Sequence, residues 1–258
     1  VLMITGSPGM AGAAFLSACA AYTVGAGLVQ IYTASENRLA LQELLPEAII
    51  SCYDSYDDSQ LSHLLDWADV VCIGCGLGMG QISEKILKNV LKNVSCPCVI
   101  DADGLNLLSR NIELLNQCCA PVILTPHMKE MSRLTGYSVQ ELKDNRRELL
   151  RKYTEKVHAV CVLKDSRTLV KAPEGRLMIN TTGNAAMAKA GSGDVLAGMI
   201  TGFMAQHMRP DDAAVLGVYL HGLCGDHARK ELGSYSVLAG DLLKMLGRTL
   251  KELEDMTE

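Results

Sequence analysis

Short runs of β-branched and apolar residues alternate along this chain with longer amphipathic stretches, and that alternation restricts the fold more than any other feature. The runs are "VLMIT", "LVQIYT", "AIISCY", "DVVCIG", "PCVID", "PVILT" and "AVCVLK". Helical spacing near 11–26, 36–45, 81–94, 127–135 and 138–157 separates most of them. Runs this short and this uniformly apolar suit strands buried on both faces. The expected architecture is therefore three-layer α/β, with a mainly parallel central sheet covered by helices on both faces. Ser138 and Glu141 form a capping-box pattern, and Thr125-Pro126 reads as a helix start with proline at the first position. After Lys164 the rhythm changes. "TLVKA" and "RLMIN", joined by Pro173-Glu174-Gly175, read as a β-hairpin, and beyond Asp194 helices are expected at about 194–208, 212–232 and 236–253.

No linker, repeat or low-complexity block interrupts the 258 residues, so one domain spanning 1–258 is expected. A net charge of −5 with no basic stripe argues against nucleic acid and anionic membranes as partners. No apolar run approaches the roughly 18 residues that span a bilayer, and the first residues lack a secretory pattern. The expected compartment is the cytoplasm. The ten cysteines agree, because several lie inside strand-like runs, Cys72 and Cys161 among them, where cysteine acts as a small hydrophobe. Cys72, Cys75, Cys96 and Cys98 have a spacing that admits a zinc site, but the strand context favours buried free thiols.

The stretch "AMAKAGSGDVLAGM" places Gly191, Ser192 and Gly193 directly before Asp194. Val195, Leu196, Met199, Ile200 and Phe203 follow at the intervals of one buried helix face. Asp194 is thus expected in a helix's first turn, where N–H groups lack intrahelical partners and the helix dipole attracts anions. Small residues let a phosphate approach this backbone. The simpler reading is an acid that only complements the helix dipole. Asp101, Asp103, Thr125, His127 and Lys164 follow other strands and belong to the same sheet edge, where open α/β sheets bind ligands. Each also has a plain structural reading, as a turn, a cap or a solvated charge. "TGSPGMAG" and "GCGLGMG" are Gly-rich strand-to-helix turns that match neither a P-loop nor a Rossmann fingerprint.

The order of these motifs carries a resemblance. "GSPGMAGAAFLSACAAYTVGAGLVQIYT", "IGCGLG", "VIDADGLNLL", "ILTPHMKEMSRL", "VLKDSRT" and "AGSGDVLAGMITGFMAQ" together resemble the ADP/ATP-dependent NAD(P)H-hydrate dehydratases, a branch of the ribokinase-like superfamily. The resemblance implies a three-layer ribokinase-like domain and nucleotide-driven dehydration of the S-form of NAD(P)H hydrate. The implied route is phosphorylation of the C6 hydroxyl followed by elimination of phosphate. It implies Asp194 as the base, and Ala13, Gly76, Gly78, His127 and Asp194 around the hydrated dinucleotide. Lys164, Asp165, Ser166, Arg167 and Thr168, with Gly191, Ser192 and Gly193, would line the nucleotide. Mg2+ would accompany ADP or ATP, reaching Glu130 through water. A separate NAD(P)H-hydrate epimerase and a homo-oligomer, a tetramer, are implied as well.

Three departures stand out. Asp165 occupies a position usually held by glycine and would bring negative charge near phosphates. Ala185-Ala186 stands where Pro-Gly is commoner. The chain also opens almost at the first Gly motif, as a trimmed or shortened member would. Two other readings remain open. One is a ribokinase-like small-molecule kinase acting on a hydroxymethyl-pyrimidine or hydroxyethyl-thiazole. The other is a non-catalytic nucleotide sensor, which Asp165 keeps in play.

Overall fold

In the computed structural model, which describes residues 1–255, nine strands form one sheet. The first half of the chain alternates strands β1 (Leu2–Ile4), β2 (Gln30–Ala34), β3 (Ile49–Tyr53), β4 (Val71–Ile73) and β5 (Cys98–Ile100) with helices. Those helices are α1 (Ala11–Thr23), α2 (Arg38–Leu44), α3 (Asp58–Trp67) and α4 (Gln81–Asn93). Then come α5 (Ala102–Leu108), β6 (Val122–Leu124), α6 (Met128–Thr135), α7 (Val139–Val157) and β7 (Val160–Leu163). The hairpin of β8 (Leu169–Lys171) and β9 (Leu177–Ile179) precedes α8 (Ser192–Ala205), α9 (Pro210–Ser236) and α10 (Ala239–Asp255).

The order is β3-β2-β1-β4-β5-β6-β7-β8-β9, with parallel pairing through β7 and antiparallel pairing of β8 and β9. The direction in which strands are added reverses between β1 and β4, which makes the crevice beyond their carboxyl ends a ligand-binding position. There the two Gly-rich turns meet. Gly6 N–H donates to the Cys75 carbonyl at 3.0 Å and Ser7 N–H to the Gly76 carbonyl at 2.5 Å.

Strand alternation divides the core. Met3 and Cys72 face a layer built with α1, α8, α9 and α10. Leu2, Ile4, Val71 and Ile73 face a second layer built with α3 to α7. Because side chains of one strand alternate faces, Cys72 and Cys98 end in opposite layers. A single zinc ion cannot join them, and all ten cysteines are free thiols.

The structure differs from the sequence expectation in several places. Helices α3 and α5 were not anticipated. The first is capped by the Asp57 side chain, which accepts from Gln60 N–H, a signal legible in "DDSQ". The second follows Asp101 directly and runs only seven residues, too short to show a period. Pro126 is not the first residue of α6; His127 caps that helix, with its side chain accepting from Lys129 and Glu130 N–H. Helix α9 extends to Ser236 through a break at Gly233, whose φ is +77°. The hairpin, the capping box at Ser138 and Glu141, and the placement of Asp194 in a first helical turn all match expectation.

Helix α8 packs directly on α1, and the contact depends on glycine. A Cβ at Gly198 would lie 2.0 Å from the Ser17 carbonyl oxygen and 2.8 Å from the Ala20 Cβ. Gly198→Ala should therefore lower stability by about 1–3 kcal/mol, as overpacking does. Gly247→Ala, in open space on α10, should instead raise it by up to about 1 kcal/mol through helix propensity. Thermal denaturation of the two variants checks both signs.

Candidate active site

The carboxyl ends of β5, β6 and β7 each deliver one polar side chain to a single point. Asp101, 1% exposed, follows β5 and stands at the N-cap position of α5 with its side chain turned to other partners. Its Oδ1 accepts from Thr125 Oγ1 at 2.7 Å and from Lys164 Nζ at 2.6 Å. Thr125 follows β6 and Lys164 follows β7, so one carboxylate ties three strand ends together. Lys164 is further fixed through its backbone, which bridges to His127 and donates to the Pro126 carbonyl at 2.8 Å. Burial disfavours its ammonium, but Asp101 and Glu130 hold the pKa above the ordinary lysine value.

Helix α8 brings Asp194 to the same point. Gly191 adopts φ +89° as the N-cap, a conformation that glycine tolerates without strain. Ser192, Gly193 and Asp194 then form the first turn. Among the described residues the N–H groups of Gly193 and Asp194 have no backbone partner, whereas Ser192 N–H is used by the Lys189 carbonyl at 3.3 Å. Gly193 lies close to the pair: a Cβ there would be 3.2 Å from Lys164 Nζ and 3.6 Å from Asp101 Oδ2. Ser192 turns its hydroxyl inward, 3.3 Å from His221 Nε2 on α9, rather than toward the open end of the loop. Burial pushes the pKa of His221 down to about 4, so this histidine is neutral.

Ligand atoms of Cys75, Asp101 and Asp194 all lie within 4.8 Å of one another. A hydrogen bond with Cys72 and full burial keep the Cys75 thiol protonated, and it lies 3.9 Å from Asp101 Oδ2. Since Lys164 and Thr125 already occupy Asp101, the cluster is a hydrogen-bonded network rather than an open ion cage. Burial, with Asp101 beside it, pushes the pKa of Asp194 up to about 7.

The remaining expected residues fall into three groups. Ala13, Gly76 and Gly78 come together at the crevice between β1 and β4. A Cβ on Gly76 would lie 2.8 Å from the Ala13 Cβ, and one on Gly78 would lie 3.2 Å from Ser7. Gly78 N–H donates to Asp103 Oδ2 at 2.8 Å. The His127 side chain is half exposed and engaged with its own helix through Nδ1. One Glu130 oxygen accepts from the His127 backbone N–H at 2.8 Å, and the other lies 3.3 Å from Nε2. Burial raises the Glu130 pKa to about 7. Glu130 thus completes the capping box of α6.

Residues 165–168 make a loop bonded to itself. Ser166 N–H donates to Asp165 Oδ1 at 2.8 Å, Arg167 donates to the Ser166 carbonyl, and Thr168 Oγ1 donates to the Asp165 carbonyl. The charge of Asp165 is met by Arg146 of α7 at 3.3 Å. Sequence reasoning singled out Asp101 as a strand-end residue but gave it no role, weighed Cys75 only within a zinc spacing, and passed over His221. Strand-end position and the pair of acids in "DADG" signalled Asp101, and nothing in the sequence signalled His221.

The nine-stranded, mainly parallel sheet is that of the ribokinase-like class of α/β proteins: a ribokinase-like superfamily protein from Enterococcus faecalis superposes with a TM-score of 0.84 at 32% identity, covering 97% of this chain and 86% of that one. A hydroxyethylthiazole kinase from Pyrococcus horikoshii shares this fold with a TM-score of 0.66 at 18% identity, covering 90% of this chain and 92% of its own. Within that class the chain belongs to the NAD(P)H-hydrate dehydratase family, whose model matches residues 1–248. A bifunctional NAD(P)H-hydrate repair enzyme of Moorella thermoacetica is 40% identical over 100% of this chain and 50% of its own length. The ADP-dependent (S)-NAD(P)H-hydrate dehydratase of Bacillus subtilis is 35% identical over 98% of this chain and 89% of its own. The B. subtilis ADP/ATP-dependent dehydratase, co-crystallized with ATP/Mg2+, superposes with a TM-score of 0.85 at 33% identity, covering 97% of this chain and 88% of that one. This chain spans about half the length of the bifunctional relatives it matches.

Because the folded-state pKa of Asp194 is raised from 3.8 to about 7, ionising it opposes folding. The stability of the protonated form is complete below the unfolded pKa and is lost as pH climbs through about 7. Asp194→Asn removes that dependence while preserving shape. The melting temperature of the variant relative to the native protein should therefore rise between about pH 4 and about pH 8, by roughly 2–4 °C per kcal/mol withheld. A constant difference across that range would contradict the burial of this carboxylate.

Proposed function

We propose that the chain is a nucleotide-dependent hydro-lyase that returns the S-form of NAD(P)H hydrate to NAD(P)H. The observation that carries this reading is Asp194 in the first turn of α8, beside two unpartnered N–H groups and the Lys164 ammonium. A carboxylate titrating near neutrality suits general-base work. Asp194 takes the proton of the C6 hydroxyl as that oxygen attacks the terminal phosphorus of the nucleotide, whose bridging P–O bond breaks to release the nucleotide one phosphate shorter. The N–H groups of Gly193 and Asp194, with the helix dipole behind them, stabilise the charge on the transferring group. Phosphate then leaves C6 in place of hydroxide, a far poorer leaving group, while the adjacent ring carbon loses a proton and the double bond is restored.

The crevice of Ala13, Gly76 and Gly78 receives the hydrated ring, with His127 at its side. Gly191, Ser192 and Gly193 approach the nucleotide through backbone, and residues 164–168 border it. Pairing of Asp165 with Arg146 removes the bare charge that favoured a sensor over an enzyme. Mg2+, when bound, neutralises phosphate charge; it normally keeps most of its waters, and Glu130 would meet it only through one of them. On the same resemblance, residues 1–258 act as one unit, a cytoplasmic homo-oligomer with four copies, served by an NAD(P)H-hydrate epimerase. No helix among the described residues is long and apolar enough to cross a membrane.

Incubation with NADH hydrate, Mg2+ and either ADP or ATP should regenerate NADH, followed by absorbance. Asp194→Asn should lower turnover by about 10²–10⁴ while nucleotide affinity is kept. Asparagine caps helices as well as aspartate does, so a near-native rate would reduce Asp194 to a capping role. Separately, nucleotide at a hundredfold excess over its Kd should stabilise the native protein by ~2.7 kcal/mol. Lys164→Ala should reduce that gain, measured against the variant's own ligand-free melting temperature. An undiminished gain would place the phosphates away from Lys164.

A further inference from the structure

A cleft of about 350 Å³ opens where the turns after β1 and β4 meet the ends of β2 and β3. Ser7 and Gly78 line it from the two turns, and Glu36, Tyr53 and Asp54 from the two strand ends. It adjoins the reacting centre through one short segment. Gly78 stands three residues from Cys75, whose thiol lies against Asp194, and three residues of chain reach at most ~11 Å.

Ser83 Oγ in this cleft donates to the Leu77 carbonyl at 2.8 Å, but the side chains of Tyr53, Glu36 and Asp54 have no hydrogen-bond or ion-pair partner among the described residues. Tyr53 is only 7% exposed, yet its hydroxyl makes no hydrogen bond among the described residues. Burial and the nearby Glu36 carboxylate push its pKa up to about 12, so it remains a donor. Glu36 and Asp54 are exposed carboxylates without an ion pair among the described residues. No lysine or arginine lines the cleft, and Arg38, two residues beyond Glu36, is not part of its wall. A donor without an acceptor beside acceptors without a donor is completed by a group that does both, which is a hydroxyl. A phosphate only accepts, and its charge would stand against two carboxylates. A metal cage is not formed either, because the one cluster of three candidate metal ligands among the described residues is that of Cys75, Asp101 and Asp194.

Sheet topology points to the same chemistry. In Rossmann sheets an acid after the strand beside the first lies on the hydroxyls of a ribose, and this chain has an acid at that place although its glycine turn lacks the Rossmann fingerprint. Here Gly6 to Gly9 follow β1, and Glu36 follows the adjacent parallel strand β2. We infer that this cleft seats the ribose remote from the hydrated ring, with its 2′,3′-diol on Glu36 and Tyr53, and so selects NADH hydrate over the 2′-phosphorylated NADPH hydrate. The inference rests on the function proposed above, because it takes the hydrated ring to lie at Asp194.

The test uses NADH and NADPH themselves as probes, titrated by fluorescence into the full chain, with ADP present throughout to occupy the phosphate loop. The native protein should bind NADH roughly tenfold more tightly than NADPH, the effect of setting a phosphate a few ångströms from screened carboxylates. The double substitution Glu36→Gln, Asp54→Asn, on exposed side chains, should shrink that ratio to about twofold or less by strengthening NADPH binding. Equal affinities in the native protein, or a ratio the double variant leaves unchanged, would overturn the inference. The hydrate assay separates the two proposals. Turnover of hydrate with a ratio that does not respond leaves the dehydratase reading and removes the ribose seat. A responsive ratio without turnover leaves the seat and removes the dehydratase reading.

Discussion

The ion pair of Asp101 and Lys164, 2.6 Å long, is the interaction on which the site depends. Its two members come from residues 63 apart in sequence and from strands separated by β6, and Thr125 of β6 shares the same carboxylate oxygen. With Asp101 almost wholly buried, breaking the pair would leave an uncompensated charge, which typically costs about 3–5 kcal/mol. The pair also sets what surrounds it. Lys164 Nζ stands close beside Gly193, and the negative charge of Asp101 adds to burial in keeping Asp194 close to neutral titration.

Around this pair the sheet separates two kinds of surface. Turns after β1 and β4 meet closely at Gly6, Gly76 and Gly78, where a Cβ would crowd Thr33, Ala13 and Ser7, so they form a close-fitting crevice. Ends of β5, β6 and β7, by contrast, carry the fixed charges and the loop bordered by Arg146 and Asp165. Asp194 stands where the two surfaces meet because α8 packs on α1, which follows the first turn, while its own first turn reaches the second surface. A base is useful only where the atom it deprotonates and the phosphate that atom attacks are both within reach, and that meeting point provides the condition.

Much of this was legible in the chain. Alternating apolar runs set the parallel sheet, because strands buried on both faces cannot tolerate polar residues, and the spacing after Asp194 set the start of α8. Less was legible where an element is short or its signal ambiguous. Seven residues of α5 show no period, and His127 is an uncommon cap, so proline was given the helix start that histidine controls. Glu130 has a role that residue spacing did not give: its carboxylate accepts from the His127 backbone N–H and closes the capping box of α6.

Sequence by itself determined the layer architecture, the glycine turns and the position of an acid at a helix start, since all three follow from local spacing and backbone sterics. Tertiary structure alone decided that Cys75, Asp101, Lys164 and Asp194 share one point, that Ser192 faces His221, and that Arg146 answers the charge of Asp165. It also decided that Tyr53, Glu36 and Asp54 line one cleft. The physical reason is common to these cases. Each contact joins residues brought together by strand order and helix packing, and the desolvation that shifts their charges exists only once those elements have closed over them.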